Sequence, residues 1–200
     1  MLADSLVVAL SDHGESLGEP ESNEVLGHGM DVDPADLHVP LILAGRGALA
    51  TPKGMVVDRQ VRLMDVGATT LALAHLPPGL GEGEDLRPLL RGERPAAPPS
   101  YAEASKPLNF ERKDTWNNLN FERSVAVDGL FYVRTPWRRD RASLRREADG
   151  WPELDDASAA SALRARLDAW DAVAPPHQDI QLDEGTRDML RSLGYLEGEP

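Results

Sequence analysis

The chain has 200 residues, 41% of them apolar, and 34 acidic against 21 basic side chains give a formal net charge of −13 at pH 7. That size and apolar share suit a globular domain or part of a larger one, while the charge argues against a nucleic acid or an anionic membrane as partner by bulk electrostatics and requires any anion site to be locally cationic or metal-bearing. The absence of cysteine excludes disulfides, thiolate metal sites and a cysteine nucleophile within these residues.

The apolar run Leu6-Val7-Val8-Ala9-Leu10 leads directly into Ser11-Asp12-His13-Gly14-Glu15. It reads as a buried, Rossmann-like parallel strand that delivers two ligand-type side chains at its C-terminal end, where α/β proteins keep their chemistry. Such a strand needs neighbours on both sides, and it begins almost at residue 1, so the chain is expected to be the back part of something longer. No basic segment and long apolar run follow Met1, so the chain shows no signal peptide, and no apolar run reaches the roughly 18–20 residues that span a bilayer.

Residues 14–37 form a polar, glycine-rich stretch too long for a simple connection, which points to a functional or lid-like loop. His38 to Ala44 reads as the second strand, and residues 63–75 as a helix stopped by Pro77-Pro78-Gly79. Residues 79–100 look like a surface excursion. Beyond them Tyr101–Ala104, Arg123–Val127 and Leu130–Thr135 are short strand-like runs, the last two joined by Asp128-Gly129, a pair that favours a tight hairpin turn. The charged stretch 137–150 reads as a solvated loop in preference to an anion-binding patch. Ala157–Val173 is amphipathic, with Ala160, Leu163, Leu167 and Trp170 on one face, and a last helix runs from Glu184 to Leu193. These features divide the chain at residues 1–99, the later part of an α/β domain, and 100–200, a small α+β subdomain.

An Asp carboxylate beside an imidazole offers one hard oxygen and one borderline nitrogen, a pair suited to a divalent cation, and Gly14 lets the backbone turn away. The plainer alternative is that Asp12 caps a turn and His13 packs against a neighbour. Downstream, Gly27-His28-Gly29 has the backbone freedom to bring an imidazole close to a bound anion, where His28 can contact an oxyanion or protonate a leaving group. Glu15 is a candidate acceptor for a ring N–H, and Glu19 reads as solvated. His38 suits a hydrogen-bonded core position at a strand entrance, His75 a helix C-terminus, and neither has a role. Nothing in the spacing of Arg46 and Lys53 requires them at a site.

Taken in order, residues 6–15, Gly27-His28-Gly29, His38-Val39-Pro40-Leu41-Ile42-Leu43, Val61 to Leu71, Leu86 to Gly92, Ser124 to Val133 and Leu190 to Leu196 resemble the second half of a type I sulfatase catalytic domain, arylsulfatase-like, in the alkaline phosphatase superfamily. The resemblance implies the C-terminal part of an alkaline phosphatase-like α/β sandwich, followed by a small antiparallel sheet with a packed helix. It also implies that Asp12 and His13 are the late pair of ligands for a divalent metal, usually calcium, and that His28 stands where the family carries a basic residue touching the sulfate. The substrate implied is a sulfate ester, small molecule or glycan, attacked by a hydrated formylglycine made from a Cys or Ser in a Cys/Ser-x-Pro/Ala-x-Arg motif.

That motif does not occur in the chain, nor does the family's early Asp-Asp metal pair after an N-terminal strand. Both would belong to a missing N-terminal half, which becomes the expected partner, and the chain alone is expected to be inert. Ser11 to Glu19 is also similar to phosphodiester or phosphonate hydrolases and phosphoethanolamine transferases of the same superfamily, so a phosphoryl-transfer activity is the alternative, and a non-catalytic remnant is the third. Sulfatases are often periplasmic or secreted, but the sequence leaves localisation open.

Overall fold

The computed structural model describes residues 3–18, 27–29, 32–79, 81–105, 121–135, 141–148, 150–173 and 182–192. The chain divides into two compact units, Met1–Ala169 and Trp170–Pro200.

In the first unit, β1 (Ser5–Leu10) pairs antiparallel with β2 (Leu41–Arg46), Val7 standing opposite Ala44 and Ala9 opposite Ile42. This corrects the expectation of a parallel strand buried on both faces. A parallel neighbour needs a crossover, usually a helix long enough to span the sheet, and among the described residues between the strands the only helix is the four-residue α1 (Pro34–Leu37). Alternation places Leu6, Val8, Leu41 and Leu43 on a half-buried face and Val7, Ala9, Ile42 and Ala44 on an exposed one; Val7 and Ile42 are each 60% exposed. The second strand begins at Leu41, later than the sequence suggests, because the His38 amide closes α1 onto the Pro34 carbonyl at 2.8 Å and Pro40 has no amide to donate.

Helix α2 (Leu63–Leu73) follows a loop, and its anchor is Asp65, which is fully buried. The Asp65 carboxylate accepts the Arg62 amide at 2.8 Å, the Arg62 guanidinium at 2.8 Å and the Glu84 amide at 2.8 Å, so one side chain starts the helix and fastens the return loop. One turn on, the Thr69 hydroxyl donates to the Asp65 carbonyl and accepts the Leu86 amide at 2.9 Å, which docks α3 (Arg87–Leu90). His75 sits just past the helix end at φ 56°, the left-handed position that closes a helix C-terminus.

The strands β3 (Ser100–Ser105), β4 (Phe121–Val127), β5 (Leu130–Thr135) and β6 (Arg141–Arg146) form an antiparallel meander in chain order. Asp128 and Gly129, at φ 49° and 74°, make the β4–β5 connection, both central residues of the turn having positive φ as a type I′ hairpin requires. On one face Ala104, Phe131 and Val133 pack with Val32 from the loop before α1, joined by Ala102, Ala126 and Trp151. The other face buries Val125, Tyr132 and Leu144. Helix α4 (Ala157–Val173) buries Leu163 and Leu167 at i, i+4 spacing, and its Asp168 pairs with Arg134 of β5.

β6 corrects the reading of residues 137–150 as a solvated loop: residues 141–146 are a strand. Its charge hides an alternation in which Leu144 is buried on one face and Arg145 on the other, where Arg145 Nη1 meets Asp33 Oδ1 at 3.2 Å. In the second unit, α5 (Glu184–Ser192) starts at Asp183, whose carboxylate accepts the Thr186 amide at 2.9 Å and its hydroxyl at 2.8 Å; these bonds hold the Asp183 carboxyl below its ordinary range.

Candidate metal centre

At the end of β1 the chain turns on Ser11, whose hydroxyl donates to the His13 carbonyl at 2.6 Å. The Asp12 carboxylate accepts the His13 amide at 3.1 Å. Gly14 then passes directly under α1, its amide donating to the Asp36 carbonyl at 2.7 Å. Any Cβ here would lie 1.9 Å from the Ala35 carbonyl oxygen, so close approach, more than turning freedom, demands glycine. Ser16 and Gly27 exchange backbone bonds of 2.8 and 3.2 Å, which folds the outgoing and returning legs of the loop against each other. The buried Asp36 side chain accepts the Gly29 amide at 3.2 Å and fixes the far side of His28.

This frame brings His13, Glu15 and His28 together. The two imidazoles stack with centroids 4.0 Å apart and 25° between their planes. His28 Nδ1 meets Glu15 Oε2 at 3.0 Å. His13 Nδ1 donates to the Gly14 carbonyl at 2.7 Å, which leaves the lone pair on Nε2, and that nitrogen lies 3.8 Å from Asp12 Oδ1. The bond to the Gly14 carbonyl raises the pKa of His13, burial offsets part of this, and the Asp12, Glu15 and Asp36 carboxylates add to the rise.

Asp12, His13 and His28, singled out from sequence, therefore all lie at the C-terminal end of β1. Asp36 was missed, although Asp33-Pro34 is a helix-start signal that would have placed it on a turn of helix. Glu19 lies outside the described residues. Arg46 faces Ser5 at the opposite end of the ribbon from Leu10. His38 precedes its strand and is exposed, with Nε2 3.9 Å from Glu147 and its ring edge-on to Trp151 at 5.5 Å, not a core residue as expected.

A hard carboxylate oxygen and an imidazole nitrogen 3.8 Å apart match two donors around one cation with bonds of roughly 2.0–2.6 Å, so Asp12 and His13 fit a divalent ion by separation and donor type.

The chain is similar in structure to the phosphonate monoester hydrolase SpPMH from Silicibacter pomeroyi (TM-score 0.59, 23% identity, 84% of this chain and 34% of that one). It is also similar to the phosphonate monoester hydrolase of Agrobacterium radiobacter (TM-score 0.56, 21% identity, 84% and 34%). A third neighbour is BT4656, solved with its substrate D-glucosamine-2-N,6-O-disulfate (TM-score 0.55, 16% identity, 84% and 34%). The chain thus spans about a third of the length of these structures. No curated protein matches it. In sequence, residues 1–76 match the Sulfatase family model. Residues 1–76 are therefore sulfatase-like in sequence, and the chain has the alkaline phosphatase-like α/β fold that sulfatases and phosphonate monoester hydrolases share, as a C-terminal portion of such a domain would.

Proposed function

We propose that this chain is the metal-binding C-terminal part of a sulfate-ester hydrolase. The observation that carries the reading is the convergence of Asp12, His13 and His28 at the end of β1, inside the stretch that matches the Sulfatase family. Asp12 and His13 would hold a divalent cation, calcium in this reading, which when bound offsets negative charge on the ester's non-bridging oxygens. His28 would then face the same oxygens with Nε2, as a donor in its imidazolium form, while Glu15 accepts the Nδ1–H and orients the ring.

The chain has no cysteine and no Ser-x-Pro/Ala-x-Arg motif, so a formylglycine nucleophile must come from upstream sequence, and the 200 residues alone do not turn over. The exposed apolar face of the β1–β2 ribbon supports a partner of that kind, a preceding portion of the α/β sheet that covers Val7 and Ile42.

The test is hydrolysis of p-nitrophenyl sulfate and of a phenylphosphonate monoester by the protein as its natural source makes it, with and without a chelator. Sulfate-ester turnover that is lost with the chelator and falls at least ~100-fold on Asp12→Ala supports the reading. Turnover of the phosphonate ester alone transfers the assignment to the phosphoryl-transfer branch, and full activity of Asp12→Ala removes the metal pair.

A further inference from the structure

The best-organised donor group at the end of β1 is not the Asp12–His13 pair. A ring nitrogen of His13, a ring nitrogen of His28 and a carboxylate oxygen of Glu15 all lie within 4.8 Å of one another. We propose that these three residues form a binding site for a late first-row divalent cation of the zinc type, separate from the Asp12–His13 calcium pair and sharing only His13 with it.

The donor chemistry favours that class of ion. Two imidazole nitrogens and one carboxylate oxygen make a His2Glu set, which suits zinc, cobalt, nickel or copper, whereas calcium and magnesium take oxygen. Three protein donors also leave a fourth position open to water or an anion.

The backbone holds the three side chains in place without the ion. The Ser16–Gly27 bridge sets the register between the two legs, the Gly14 amide is fixed to Asp36, and Asp36 in turn fixes Gly29. His13 Nδ1 donates to a backbone carbonyl, the outer partner that a metal-binding imidazole ordinarily has, and this presents Nε2 as the donor. His28 Nδ1 and Glu15 Oε2, 3.0 Å apart, are spaced so that one cation at about 2.0–2.2 Å from each replaces the proton between them. The ring proton of His28 then sits on Nε2. Because the rings stack nearly parallel, binding requires His28 and Glu15 to shift together until their donor atoms and His13 Nε2 converge, and at 50% and 47% exposure both side chains have room to do so while His13 Nδ1 stays on the Gly14 carbonyl.

The inference does not rest on the proposed hydrolase activity, since it concerns cation binding by residues of this chain alone. Zinc and calcium are also separable at the bench, because Glu15 and His28 belong to one set and Asp12 to the other. If both readings hold, the two cations compete for His13 Nε2, and zinc displaces the calcium.

Zinc binding by the tag-free full chain, measured by calorimetry in millimolar excess of calcium and repeated with cobalt(II) by absorbance, decides the matter. The expected result is a zinc ion that calcium does not displace, held at least ~10-fold more weakly by Glu15→Gln and by His28→Gln, since even an outer partner of a metal ligand is worth about 10–100-fold in affinity. Asp12→Ala should leave that affinity within about threefold. No zinc binding overturns the proposal, as does equal binding by His28→Gln or a loss on Asp12→Ala as large as on His28→Gln. All three side chains are exposed, so circular dichroism should show unchanged folds, and Glu15→Gln serves as the second reading if one histidine variant is poorly folded.

Discussion

The β1–β2 ribbon and the β3–β6 sheet are built from similar alternating strands, yet they end in opposite conditions. The four-stranded sheet buries both faces, one against Val32 and Trp151 and the other with Leu163 and Leu167 of α4. The ribbon has two strands, and one face, carrying Val7 and Ile42, stands in solvent. Isolated two-stranded ribbons are marginal in water, whereas three or more strands with a covered apolar face are not. The candidate metal centre lies on the loop of the weaker element, inside a family match that takes in the whole ribbon and continues through α2. What holds that loop is the stronger element, because Val32 and Asp33, on its returning leg, are the residues packed and paired against the sheet.

The sharpest way to break this dependence is Arg145→Ala. It strips the guanidinium from the buried Asp33 carboxylate, and removing one partner of a buried ion pair costs about 3–5 kcal/mol. Denaturant unfolding should show that loss, and hydrogen exchange should show the amides of Gly14 and Gly29, which bond to Asp36 three residues on, losing protection with it. Retained protection at those amides would mean that the loop stands without the sheet. Next in size, Leu167→Ala empties a fully buried position on α4 and should cost about 2–5 kcal/mol. Here the loss belongs to the sheet's helix-covered face, so the His13–His28 contact, read by the two ring resonances in NMR, should persist at temperatures where the chain remains folded.

These contrasts also explain which parts the sequence made legible. Strand β5 and helix α4 fall where their patterns place them, Leu130–Thr135 and Ala157–Val173, because β5 is a short apolar run that follows a hairpin turn and α4 repeats leucine at helical spacing. Strand β6 was hidden, since it buries an arginine and that arginine's carboxylate partner is 112 positions earlier in sequence, a pairing no local pattern reveals. The antiparallel pairing of β1 was hidden for a related reason: an apolar run of five residues looks the same in a buried parallel strand and in an exposed two-stranded ribbon, and only the pairing partner distinguishes them. At the site, Asp12, His13 and His28 were visible as residue types with glycine neighbours. The neighbouring part played by Asp36 was not, because it works through backbone amides and depends on α1 bringing it beneath Gly14.

A smaller effect tests the sheet's burial by pH. Burial raises the pKa of Tyr132, against the lowering influence of Arg164 and Arg134. The unfolded chain releases this proton near the ordinary tyrosine value of about 10, while the folded chain retains it to higher pH, so the unfolded state binds fewer protons above that point and stability must fall as pH rises. The contribution is present in full below the unfolded value and is lost upward through the folded one. Tyr132→Phe should remove this part of the alkaline loss; an unchanged alkaline slope would place the loss elsewhere.

The smallest expected effect is the one that separates the ribbon from the sheet most directly. Ile42→Ser exchanges a side chain that is already 60% exposed, and in the 200-residue chain it should shift stability by no more than about 0.5 kcal/mol. In the longer product proposed above, where preceding strands would cover the same face, the substitution leaves a hydroxyl and a void in a packed layer, and full burial of an isoleucine is worth about 1.5–3 kcal/mol. Measuring both by denaturant unfolding makes one residue report on whether the face is a surface or an interface. A difference of that size identifies the face as the seat of the missing sheet, and equal small values in both show that the ribbon's exposure is its final state, which removes the principal structural argument for completion by an upstream half.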